Sequence, residues 1–212
     1  MEKIHMIFWK YDPTTADFNR CWGLAKGIAE CGIDVYCDFV LPNDIKCTNV
    51  PLGITCNYWG NKNAKKGKLL AYLLSIFEAM SIIRKYKTIV TCPCASPIMI
   101  VPLLFLKNKN LYIEKNEYPL FIQDEKKSLS RLRVKLLNCI LKRCAGIFVI
   151  SEKLREYYIN IGVKGEKVHV INMVVDGTRF DNIKKIERER YIGYCGTVSN
   201  IKDGVNILLE AF

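Results

Sequence analysis

An α/β fold, Rossmann-like and doubly wound, with a mainly parallel sheet and helices on both faces, is what this sequence predicts. Three observations carry that expectation. Short apolar runs of strand length recur along the chain, stretches with helical periodicity separate them, and glycines fall where helices should stop.

The first run, Ile4 to Trp9, suits a buried strand, and a polar loop from Lys10 to Phe18 follows. A helix then starts at about Asn19, with Cys21, Leu24, Ala25 and Ile28 recurring at helical spacing and Gly32 at the C-cap position. Ile33, Val35, Cys37 and Phe39 alternate as one face of a strand does. Thr88 to Cys92, Leu111 to Glu114, Gly146 to Ile150 and Val168 to Ile171 read as further strands. After the third of these, Ser151 can cap a helix, Glu152 suits its first turn and Gly162 can end it.

Asp181 to Arg190 (DNIKKIERER) is charged throughout and reads as a surface linker. Beyond it lie a strand candidate, Tyr191 to Cys195, and a helix candidate, Asp203 to Phe212. One βα unit cannot cover both faces of its own strand, so these read as the opening of a second Rossmann-like domain, left unfinished. The expected organisation is a domain over 1–180, a linker over 181–190 and the first strand and helix of another domain over 191–212.

Composition narrows the function classes. A chain of 212 residues, half of them hydrophobic, can bury a full core. No run approaches the ~18 apolar residues of a membrane span; Pro97 to Leu106 is shorter, holds two prolines and reads as buried helix or loop. The N-terminus lacks the long apolar stretch of a signal peptide, so a cytoplasmic location is expected. Ten cysteines scattered through apolar segments read as reduced core residues. Cys92 and Cys94 form a close pair, but His5 and His169 are the only histidines and no second cluster completes a ligand set, so no metal is expected.

The net charge of +11 calls for an anionic partner, and nucleic acid, anionic lipid and phosphorylated substrates all satisfy that requirement. No zinc finger, RNA-recognition signature or basic stripe with interleaved aromatics supports nucleic acid. Two basic amphipathic stretches stand out, Lys62 to Lys87 and Lys126 to Arg143. Each is either a core-facing stripe with a solvated back or a surface for anionic membrane, and the excess charge favours the membrane.

Ala145 to Phe180 (AGIFVISEKLREYYINIGVKGEKVHVINMVVDGTRF) carries the most information. Its Ser151, Glu152, Leu154, Arg155, Gly162, Val163, Lys167, Val168, Val175, Asp176 and Phe180 follow the pattern that closes the N-terminal domain of family 4 glycosyltransferases, which this chain resembles. Tyr191 to Phe212 is similar to the first strand and helix of that family's donor-binding domain, with Gly196, Ser199, Lys202, Leu208, Ala211 and Phe212 in register. Asn172, Met173 and Val174 replace the family's Pro-Asn-Gly, Thr197 its frequent arginine, and the glycine pair after the first strand is missing.

The resemblance implies a GT-B enzyme with two Rossmann-like domains and assigns roles to residues. Gly196 and Lys202 would hold the donor phosphates, because a close-approaching backbone and a cation near a helix N-terminus neutralise a diphosphate. Lys10 and Arg20, in and beside the loop after the first strand, would add charge there; a solvated surface loop is the competing reading. In Tyr112 to Pro119 (YIEKNEYP), Asn116 would donate a hydrogen bond to sugar and Glu117 would act as the catalytic or acceptor-orienting carboxylate, against the alternative of a solvated loop.

The implied activity is transfer of a sugar from a nucleotide-sugar donor to a glycan or lipid-linked acceptor, in cell-surface polysaccharide synthesis, with retention of configuration. The nucleotide sugar is a co-substrate, so neither cofactor nor metal is required. The expected location is cytoplasmic, peripheral at the inner face of the plasma membrane. The alternative is an inactive fragment or binding module, since the family's paired-glutamate motif would lie beyond Phe212.

Overall fold

Parallel strands of a doubly wound sheet are buried on both faces, so they should be short and apolar with little alternation. The computed structural model, which describes residues 3–92, 111–117, 135, 138–174, 177 and 205–211, shows this arrangement. Seven strands form one sheet: β1 (Lys3–Phe8), β2 (Asp34–Phe39), β3 (Ile54–Tyr58), β4 (Ile89–Thr91), β5 (Leu111–Lys115), β6 (Gly146–Val149) and β7 (Val168–Val170). Their order is β3-β2-β1-β4-β5-β6-β7, and every neighbouring pair is parallel. The Rossmann-like α/β fold read from the sequence is the fold observed.

Helices α1 (Ala16–Glu30), α2 (Lys68–Lys85) and α3 (Glu152–Asn160) cover the sheet. Alternate side chains of each strand divide between two cores. Met6, Phe8, Val35, Cys37, Phe39 and Val90 pack with Phe18, Cys21 and Ala25 of α1. Ile7, Ile89, Ile113, Ile147 and Val149 pack with Ala79, Ile82 and Ile83 of α2 and with Leu154 and Tyr158 of α3.

Local chemistry sets the ends of these elements. Helix α1 begins at Ala16, earlier than its apolar repeat suggests, because Asp12 organises the turn before it. The Thr14 backbone N–H and hydroxyl both donate to Asp12 Oδ1, at 3.2 and 2.5 Å. The Ser151 hydroxyl accepts from the Leu154 N–H at 3.3 Å and caps α3. Gly32 and Gly162 follow the helix ends at φ +81° and +92°, the left-handed conformation that only glycine adopts without strain.

Strand β3 is absent from the elements the sequence predicts. It is an edge strand with Ile54 alone among its five residues fully buried, so its apolar signal is weak. A polar group ties it to the sheet instead. The Asp38 carboxylate, wholly buried, accepts from Asn57 Nδ2 at 2.9 Å and Trp59 Nε1 at 2.7 Å, and lies 2.7 Å from His5 Nδ1. The His5 ring is itself stacked between Tyr36 and Tyr86.

The chain divides into two compact units, Met1–Val175 and Asp176–Phe212. In the second, the described residues form helix α4 (Val205–Glu210). Pro97 to Leu106, the charged segment 181–190, the strand candidate 191–195 and most of Lys126 to Arg143 lie outside the described residues.

Candidate active site

In an open α/β sheet, ligands bind beyond the carboxyl ends of the strands where the strand order reverses. Here the chain leaves β1 for β2 on one side and later returns to place β4 on the other, so the reversal lies between β1 and β4. The loop after β1, the start of α1 and the loop after β5 stand at that edge.

The loop after β1 is held firmly. Its Tyr11 N–H donates to Asn43 Oδ1 at 2.6 Å, and the Tyr11 ring meets Phe18 edge-on with centroids 5.1 Å apart. Burial, with Cys47 close by, pushes the Tyr11 phenol up to about 12. Asn19 donates to the carbonyls of Pro13 and Thr15 at 2.9 and 3.0 Å. Lys10 sits exposed in this loop.

Arg20 has a different position from Lys10. It is 2% exposed, and its guanidinium is enclosed by protein. Nε donates to Glu114 Oε1, Nη1 to the Asn172 carbonyl at 2.7 Å and Nη2 to the Ile171 carbonyl at 2.7 Å. Cys21 Sγ lies 2.7 Å from the other oxygen of Glu114. The Cys21 thiol is pushed far up by its hydrogen bond with Cys92, then by burial and by the Glu114 charge, so it stays protonated as a donor. One arginine on α1 thus joins β5 to the chain leaving β7.

The β5 loop completes the edge. Asn116 is half-buried, and its Nδ2 donates to Asp17 Oδ1 in the first turn of α1 at 3.3 Å. Its Oδ1 is buried, and no donor among the described residues reaches it. A buried amide oxygen left without a donor is costly, so a shift of this loop that uncovered the atom would let it accept from a hydroxyl or amine. Glu117, next in the chain, is exposed. Among the described residues, no group of three or more histidine, cysteine, aspartate or glutamate side chains could hold a metal ion.

Lys10, Asn116 and Glu117 therefore all come from loops at one edge of the sheet, whereas the Arg20 guanidinium is buried beneath it and engaged by Glu114 and two carbonyls, so it is not open to a phosphate. Gly196 and Lys202 lie outside the described residues. Two members of the site, Glu114 and Asp17, are missed by the sequence reading, which takes Glu114 only as the end of a strand. A signal for Glu114 exists: a carboxylate in an otherwise apolar strand needs a buried cation, and Arg20 on the apolar face of α1 needs a buried anion.

The fold and this edge define the class: a Rossmann-like α/β domain with a ligand edge at its switch point. No protein-family model matches the chain, and no curated protein does. Sucrose-phosphate synthase from Thermosynechococcus elongatus superposes with a TM-score of 0.57 at 14% identity, over 81% of this chain and 48% of that one. Anabaena HepE in complex with UDP and glucose gives 0.52 at 14% identity, over 85% and 46%, and HepE in complex with UDP-glucose gives 0.50 at 13%. The chain spans about half the length of these structures.

Proposed function

We propose that this chain is the acceptor-side half of a glycosyltransferase that moves a sugar from a nucleotide-sugar donor to a glycan or lipid-linked acceptor. The supporting observation is the Asp17–Asn116 pair at the switch-point edge. The pair sets an exposed carboxylate beside a buried amide oxygen that lacks a donor, two acceptors of the kind that orient sugar hydroxyls once the loop opens to expose the amide. The likeness in fold to proteins crystallised with UDP and UDP-glucose favours a uridine-type donor.

In this reading Asn116 and Glu117 orient the acceptor, and Glu117 serves as the carboxylate nearest the transferred proton. Lys10, with Gly196 and Lys202 by resemblance, neutralises the departing diphosphate, and the resemblance implies that the transfer needs no metal and proceeds with retention. Arg20, expected from the resemblance to hold donor phosphate, instead fixes α1 against β5, because its guanidinium is buried and its charge is taken up by Glu114. The reaction belongs to cell-surface polysaccharide synthesis at the inner face of the plasma membrane, where lipid-linked acceptors are met.

The test uses the full-length gene product with labelled nucleotide sugars and a panel of glycan and lipid-linked acceptors, with and without EDTA. Transfer that survives chelation and falls on the order of a hundredfold or more in kcat/KM in Asn116→Ala, through acceptor KM and kcat with donor affinity retained, is the expected result. Neither donor binding nor transfer with any acceptor would overturn it in favour of a binding module.

A further inference from the structure

Helix α2 is built inside out over its first three turns. There its sheet-facing side is small, Ala71, Ser75 and Ala79 at 5%, 0% and 0% exposure, and only at its end do Ile82 and Ile83 enter the core. The large side chains of those first turns point away: Leu69 is 75% exposed, Leu70 50%, Leu73 44% and Phe77 65%. These four recur at helical spacing along one stripe, which Met80 and Arg84 continue past a depression lined by Phe77, Met80, Ser81, Arg84 and Lys85. Scattered exposed leucines are ordinary, but four large side chains aligned on one helix mark an interaction surface.

The charges around the stripe select the occupant. Lys65, Lys66 and Lys68 stand exposed at one end, and Arg84, Lys85 and Lys87 at the other. The acidic residue of α2, Glu78, is paired with Lys62. A helix of 18 residues, about 27 Å long, thus presents an apolar middle between two basic ends. A second copy of this chain, docked on a two-fold axis, would bring basic ends together in either orientation. An anionic bilayer matches both parts, acyl chains for the stripe and phosphates for the cations.

We infer that the outward face of α2 is a membrane-docking surface, lying in the plane of an anionic bilayer with Leu69, Leu70, Leu73 and Phe77 immersed and the flanking cations on lipid phosphates. The inference extends the membrane-facing part of the proposed function and is independent of sugar transfer. Its test therefore contains no nucleotide sugar, and either reading can fail while the other stands.

The test is flotation of the 212-residue chain with vesicles of phosphatidylcholine alone or mixed equally with phosphatidylglycerol. Expected is binding to the mixed vesicles only, weakening as salt rises. Leu73→Asp with Phe77→Asp, and separately Lys65→Glu, Lys66→Glu and Lys68→Glu together, should each lower partitioning on the order of a hundredfold. Leu52→Asp is the control, since Leu52 is 98% exposed but isolated in the loop before β3. All altered side chains are exposed, and an unchanged thermal melt verifies that each variant folds. No flotation with anionic vesicles, flotation unaffected by the α2 changes, or a dimer in light scattering that Leu73→Asp with Phe77→Asp disperses while vesicles stay unbound would each overturn the inference.

Discussion

Helices α1 and α2 pack on opposite faces of the same sheet and reverse the usual use of side chains in different ways. Helix α1 buries an arginine among Phe18, Cys21 and Ala25, whereas α2, until Ile82 and Ile83 at its end, buries alanine and serine and turns leucine and phenylalanine to the surface. Burying a charge is costly unless it is paired and hydrogen-bonded, and Arg20 is held by Glu114 and two carbonyls. Exposing large apolar side chains costs less inside the fold and is recovered only when a partner covers them. Helix α1 thus spends its unusual residue on internal architecture beneath the candidate site, and α2 spends its own on the outside.

That contrast predicts the largest effect at Glu114. Glu114→Ala leaves the Arg20 guanidinium buried without its anion and should cost about 3–5 kcal/mol in urea denaturation. Replacing both members, Arg20→Met with Glu114→Leu, should restore most of the loss, because the uncompensated charge is gone. A Glu114→Ala protein as stable as the native chain would show that water reaches the guanidinium.

The next effect separates the two sides of α2. Ala79 is completely buried in the core against the sheet, so Ala79→Leu should destabilise by about 1–3 kcal/mol through overpacking. Leu73→Ala, on the outward stripe, should stay within about 0.5 kcal/mol in the same assay. Equal costs at the two positions would mean that the outward side is already covered.

The sequence shows the strand runs well because parallel strands buried on both faces are mainly apolar, and β1, β2, β4, β5, β6 and β7 all lie where such runs lie despite His5, Asp38 and Glu114 within them. It does not show β3, whose attachment depends on the Asp38 carboxylate accepting from Asn57 and Trp59 rather than on apolar spacing. The direction of α2 is also hidden. KLLAYLLSIFEAMSII is apolar on nearly every side, and only the close approach to the sheet selects Ala71, Ser75 and Ala79 for the interior before Ile82 and Ile83 join them. At the candidate site, Asn116 is legible from its place after a strand. The Arg20–Glu114 and Asp17–Asn116 pairs, separated by 94 and 99 residues, join groups that only the tertiary fold makes neighbours.

The smallest effect concerns the thiols. Burial pushes Cys144 up to about 12 and Cys56 up to about 11, while Cys31 and Cys139 are exposed. A raised folded-state value means that the native protein holds these protons more tightly than the unfolded chain does. The associated stability is complete below the ordinary thiol value of 9.0 and is lost as pH rises through about 11 for Cys56 and about 12 for Cys144. Alkylation with iodoacetamide at mildly alkaline pH, followed by mass spectrometry, should therefore modify Cys31 and Cys139 before Cys56, and Cys56 before Cys144. Early modification of Cys144 would show that the face shared by α2 and α3 opens locally, and that the packing of small residues beneath α2 is looser than their burial implies.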